Sequence, residues 1–175
     1  MREGLLDFEN DPFAWEYLNC KYESESWRNN PSEEDIVRVI LFTSQGNDRR
    51  LDEAALGMFE EAMKEGKLVS RLLYHIGYTL FSSPNRHYTR AMPFLEAALQ
   101  GEKNAKQRGT ILSHLATCSL ELGDWRKGEM YAVEAFLASQ YYSGLTANLR
   151  HAIKLAEKEG DTEGAKRIRR RLDNL

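Results

Sequence analysis

ILSHLATCSLELGDWRKGEMYAVEAF, residues Ile111 to Phe136, decides the fold. Large apolar residues recur at Leu112, Leu115 and Leu122, with the small Ala116 and Ser119 between them. Gly123-Asp124 interrupts the run, and a second helical run then places Gly128, Ala132 and Ala135 on one side. Small residues at matched depth on two consecutive helices let them pack antiparallel at close range, and Gly-Asp supplies the tight turn between them. The stretch predicts a helix-turn-helix hairpin.

The same unit recurs before and after it. Ala55, Ala91, Gly128 and Ala165 superpose in one register, as do Phe59, Leu95, Ala132 and Arg169, then Ala62, Ala98, Ala135 and Leu172, with spacings of 36, 37 and 37. The first helices agree, because Leu73, Ile76, Gly77 and Leu80 match Leu112, Leu115, Ala116 and Ser119. Near-constant spacing over four registered pairs marks a repeat architecture.

A small residue, a larger one four positions on and a small one three further is the second-helix pattern of the tetratricopeptide repeat (TPR), which residues 32–172 resemble. The family period is 34, so two or three residues are added per unit here. The family's first-helix aromatic and terminal proline are missing, and Arg169 stands where a bulky apolar residue is usual. Longer-period Sel-like relatives accommodate such spacing. The resemblance implies an all-α, right-handed α-α superhelix of three to four TPR-like hairpins. Residues 32–175 would be the repeat domain, and residues 1–31 an acidic arm or capping helix.

In TPR hairpins the first helices line a concave groove that holds an extended or helical peptide. Carried over by position, the groove comprises Arg71, Tyr74, Tyr78 and Phe81 from one unit. The next unit gives Thr110, Ser113, His114 and Thr117, and the last gives Arg150, His151 and Lys154. Tyrosine and arginine dominate interface energetics. Arg71, Arg150 and Lys154 would favour an acidic segment or a C-terminal carboxylate. Chaperone-tail-binding TPR domains need Lys and Asn where Tyr74 and Tyr78 stand, so that ligand is not implied. The span from Tyr74 to Leu137 also resembles the cytosolic domain of the mitochondrial fission adaptor family. That family carries a C-terminal membrane anchor, and the sequence ends at Leu175 without one, so either the sequence is a piece of a longer chain or the likeness extends only to the superfamily, and the second is expected.

In chain order, Asp11-Pro12 opens a short helix whose apolar residues (Phe13, Trp15, Tyr17, Leu18) spread round more than one face. Two readings stay open for it: a cap over the end of the stack, or an arm that leaves its site to admit a partner. Ser32, with Glu33, Glu34 and Asp35 behind it, caps a helix running through Ile36, Val37 and Ile40 to Phe42. Its β-branched content would also allow a strand, but the capping signals decide for helix. Gly46-Asn47-Asp48 is expected to be a loop and Leu51–Glu65 a helix. Further helices are expected over 69–81, 88–100, 110–136 as a pair, 145–159 and 164–172, with Pro93 moving the start of the second toward Ala91.

Charge and composition exclude several function classes. The 175 residues carry a net charge of -3, which argues against nucleic acid as the main partner. Residues 1–35 hold ten acids against three bases, which leaves the remaining chain net positive by four. No apolar run approaches the ~20 residues of a membrane span, the N-terminus is no export leader, and Cys20 and Cys118 lack disulfide or metal spacing. A soluble, cytoplasmic chain is expected.

No nucleophile elbow, phosphate loop or zinc-hydrolase motif occurs, so neither an enzyme nor a cofactor is expected. His75, His114 and His151 share one repeat position, about 10 Å apart if their helices pack, too far for one metal ion with bonds of about 2 Å. They would be either a titratable row along the groove or polar residues at the core margin. Lys166, Arg167, Arg169, Arg170 and Arg171 either complement a helix C-terminus or form a patch for an acidic protein or for nucleic acid.

The reading is a non-catalytic protein–protein interaction module, an adaptor or scaffold that holds a peptide or protein segment of acidic character in its groove. The alternative is a dedicated chaperone or immunity-type inhibitor of one cognate protein.

Overall fold

The computed structural model describes Val37, residues 41–45, 48–139 and 144–174. The N-terminal arm or capping helix expected over residues 1–31, and Cys20 with it, lies outside the described residues. Among those described, the fold is all-helical apart from one short ribbon.

That ribbon corrects the sequence reading. Val37 and Leu41 are helical and fully buried, but Phe42–Gln45 (β1) is a strand paired antiparallel with Asp48–Leu51 (β2), in register Phe42 opposite Leu51 and Gln45 opposite Asp48. The expected helix therefore does not run through Phe42, and Asp48 to Leu51 is neither loop nor helix start. Ser32 and the acids after it bear only on where a helix begins. Phe42-Thr43 favours a strand, and Gly46-Asn47 has the length and composition of a two-residue hairpin connection. Asp52 then launches the first full helix. Its N–H donates to the Leu41 carbonyl at 2.7 Å, and its Oδ1 accepts from the Ala55 N–H at 3.1 Å.

Seven helices follow: α1 (Glu53–Lys64), α2 (Ser70–Ser82), α3 (Tyr88–Gly101), α4 (Ala105–Glu121), α5 (Trp125–Ser139), α6 (Leu145–Lys158) and α7 (Thr162–Asp173). Helix α3 starts at Tyr88, as the expected span 88–100 has it, and Pro93 does not move the start toward Ala91. Pro93 is exposed inside the helix, and so is Thr89, whose carbonyl it leaves without a helical donor.

The Gly-Asp pairs act twice each. Gly123 (φ 87°) and Gly160 (φ 80°) take the left-handed conformation that closes a helix without a Cβ clash. The following N–H groups reach back, Asp124 to Ser119 O and Asp161 to Ala156 O. The same aspartates then cap the next helix, Asp124 Oδ1 accepting from Lys127 N–H and Asp161 Oδ1 from Gly164 N–H. Two residues thus end one helix and start its antiparallel partner.

Helix α2 packs on α3, α4 on α5 and α6 on α7; α3 also meets α4 and α5 meets α6. The first helices of successive hairpins touch as well, α2 with α4 and α4 with α6. The aligned repeat positions form the core: Ala55, Ala91, Gly128 and Ala165 are buried, as are Phe59, Leu95, Ala132, Leu73, Ile76, Leu112 and Leu115. Arg169, at the degenerate position, is exposed and pairs with Glu157. At Gly77 and Gly128 the partner helix comes too close for a side chain, a Cβ there falling 2.8 Å from Leu95 and 2.5 Å from Leu120.

The polar ties between hairpins keep the same period. Arg90 donates to Glu53 (2.6 Å, 37 residues apart), Tyr131 to Glu96 (3.0 Å, 35 apart) and Trp125 Nε1 to Glu159 (2.9 Å, 34 apart). Arg126 donates to Asp161 (2.8 Å, 35 apart) and Arg167 to Glu129 (2.6 Å, 38 apart).

Candidate functional site

Helix α2 carries Arg71, Tyr74, Tyr78 and Phe81 at helical spacing, so all four fall along one side. Arg71 is exposed, and the three rings are half-buried. Tyr74 stacks on Tyr78 with centroids 5.8 Å apart, and Tyr78 on Phe81 at 6.3 Å. The neighbouring helix α4 inserts His114 among them, its ring 6.1, 5.2 and 4.7 Å from those of Tyr74, Tyr78 and Phe81. The Tyr74 hydroxyl lies 3.4 Å from His114 Nε2. The result is an aromatic ledge that bridges two hairpins.

Burial changes what His114 can do. Removal from water penalises the imidazolium and pushes its pKa down to about 4, so the ring is neutral at physiological pH. A row of three histidines titrating together is therefore not what the structure holds. His75 lies beside Tyr74 at 5.7 Å, His151 is half-buried on α6, and His114 is a packed member of the ledge. Among the described residues no three His, Cys, Asp or Glu side chains are placed to hold a metal ion.

The other α4 positions are half-buried too, and their hydroxyls are turned to their own helix. Thr110 donates to Lys106 O (3.1 Å), Ser113 to Thr110 O (2.7 Å) and Thr117 to Ser113 O (3.1 Å). They shape the wall more than they offer donors. Arg150 and Lys154 are exposed on α6, which packs against α4. The structure thus brings Tyr74, Tyr78, Phe81 and His114 into contact and sets the two α6 cations one helix further along.

Sequence reasoning missed Tyr88, whose ring lies 5.8 Å from Phe81 and extends the ledge onto α3. It follows the loop from Ser82 to Asn85, where helical periodicity gives no signal. Glu129 was missed as well. Only 5% exposed, it accepts from Arg167 and, at 2.9 Å, from Arg171. With Arg169 on Glu157 and Lys166 on Glu163, four of the five residues in the basic run 166–171 are ion-paired within the chain. The available hint in the sequence was an acid one position after the small repeat residue Gly128.

Cys118 is buried, and loss of solvent pushes its thiol up to about 12. With almost no thiolate present at neutral pH, native Cys118 should not react with Ellman's reagent until denaturant unfolds the chain. Prompt labelling at Cys118 in native buffer would overturn that placement.

None of the helices in the described residues is long and apolar enough to cross a membrane. Comparison with protein-family models, with curated proteins and with solved structures gives no match to this chain.

Proposed function

We propose that the chain is a non-catalytic protein-interaction module, an adaptor built as a TPR-like right-handed superhelix. Its groove, lined by α2, α4 and α6, would take an extended or helical segment of an acidic protein. The expected N-terminal capping helix belongs to the same reading. The observation that carries it is the ledge of Tyr74, Tyr78, Phe81 and neutral His114 across two adjacent first helices, beside the exposed cations Arg71, Arg150 and Lys154. Half-buried aromatic rings offer contact area at low entropy cost, and cations at the rim select for carboxylates. The repeat period of the polar ties supports the stacked-hairpin architecture on which the groove depends.

Selection of displayed random peptides on the wild-type chain tests this reading. Acid-rich sequences with micromolar affinity should be enriched, and the triple variant Arg71→Glu/Arg150→Glu/Lys154→Glu should weaken them about tenfold or more. Tyr78→Ala should cost more than about 1 kcal/mol of affinity. Because Tyr78 also packs on Tyr74, Phe81 and His114, it should lower stability as well, so the charge reversals are the cleaner probe. Enriched peptides indifferent to all these changes would dismiss the groove.

A further inference from the structure

The second helices carry a surface of a different kind. On α5, Met130, Val133 and Leu137 lie at positions i, i+3 and i+7, one stripe about 10 Å long. Met130 is 45% exposed and Leu137 70%, although both are large and apolar. One turn from them, Arg126 of α5 and Arg167 and Arg171 of α7 wall an open cleft of about 380 Å³ that Met130 and Val133 also line.

The guanidinium groups are only partly used. The Glu129 side chain at the base of the cleft keeps 6% of its surface, while those of Arg167 and Arg171 above it keep 59% and 44%. Two arginines share that single buried carboxylate, each through one nitrogen at 2.6 and 2.9 Å. A guanidinium has five N–H donors, so both retain donors on their solvent side. Arg126 is bound to Asp161 at 2.8 Å, with Glu159 at 3.6 Å, and Glu134 also lines the cleft. Counted over whole helices, α7 holds five bases against two acids, while the two bases of α5 match its two acids. At the cleft itself the lining arginines outnumber the lining carboxylates by one, three against Glu129 and Glu134, with Asp161 and Glu159 beside Arg126.

An exposed apolar stripe beside a surplus of arginine donors has one complement, an amphipathic helix with an acidic flank. The geometry points to α5 and α7 as a second docking surface, at which such a partner helix lays its apolar residues on Met130, Val133 and Leu137 and its carboxylates on Arg167 and Arg171. The surface uses the second helices of the hairpins and is independent of the groove proposed above, which uses the first.

The probe is a fluorescein-labelled helical peptide of about 18 residues, with Leu repeating every three or four positions and Glu on one flank. Its partner peptide has every Glu replaced by Gln. Anisotropy titration should give micromolar binding of the Glu peptide and binding about tenfold weaker for the Gln peptide. Leu137→Glu and Met130→Glu replace exposed side chains, so they should leave the melting temperature within a few degrees and weaken the Glu peptide about tenfold. The titrations use the Arg71→Glu/Arg150→Glu/Lys154→Glu background, which removes the groove's cations, and bound peptide should slow amide exchange in α5 and α7. Equal binding of both peptides, full affinity in Leu137→Glu, or exchange protection confined to α2 and α4 would overturn the proposal. So would preferential binding of single-stranded RNA, or concentration-dependent self-association that Leu137→Glu abolishes, since the surface would then serve another occupant.

Discussion

Acidification from pH 7 to below pH 4 should remove about 3 kcal/mol of folding stability through His114 alone. In the unfolded chain this imidazole takes up its proton near its ordinary value of 6.5, but in the folded chain burial delays protonation until about 4. Between those values the unfolded state binds more protons, so stability rises with pH across the interval. The contribution is fully present above about 6.5 and is lost as pH falls through 4. The cost falls on His114 because burial among the rings of Tyr74, Tyr78 and Phe81, with the Tyr74 hydroxyl beside it, penalises the imidazolium. Urea unfolding at intervals between pH 7 and pH 4 should show the decline. His114→Phe, which keeps an aromatic ring in the slot and removes the proton site, should flatten it. Equal pH dependence in the two proteins would place the imidazole in water and dissolve the ledge as described.

Gly128→Val should cost about 3 kcal/mol, the upper end of what forced overpacking does to a core. A Cβ at this position lies 2.5 Å from both Cγ and Cδ2 of Leu120, and Leu120 is itself buried. The branched side chain therefore drives α5 away from α4 at the closest point of that hairpin. Gly57→Ala is the matched control. It sits exposed in α1 with nothing within 4 Å of the added carbon, so the helix-propensity gain of about 1 kcal/mol should appear unopposed. Denaturant midpoints read both, and a Gly128→Val chain as stable as Gly57→Ala would show that the hairpin is not close-packed there.

The contrast between these glycines shows where the sequence was informative. Gly128 and Gly77 were legible because small residues recurred at one depth on paired helices, and only close approach explains that recurrence. Gly123-Asp124 and Gly160-Asp161 were legible because two residues with known conformational preferences announce an end and a beginning. The end of the stretch from Ile36 to Phe42 was misread because its β-branched residues suited either state, and the helix-capping signals before it outweighed the hairpin signal of Gly46-Asn47 between Phe42 and Leu51. At the candidate groove, periodicity put Tyr74, Tyr78 and Phe81 on one side of a helix. It carried no information on how deeply a neighbouring helix would bury His114, and depth is what sets its charge. The fate of the basic run was hidden for the same reason. Arg167 and Arg171 meet Glu129 from 38 and 42 residues away, a distance at which only the repeat itself predicts proximity.

Each of the five ties from Arg90–Glu53 to Arg167–Glu129 spans one unit and joins a hairpin to its immediate neighbour. Mechanically, such an arrangement is a set of springs in series rather than in parallel. Tension applied to its ends passes through every junction in turn, and the weakest of them sets the yield point. In the superhelix proposed above, compliance would add from link to link, so that stretching or coiling would be shared as small rotations along its length while each hairpin stays intact.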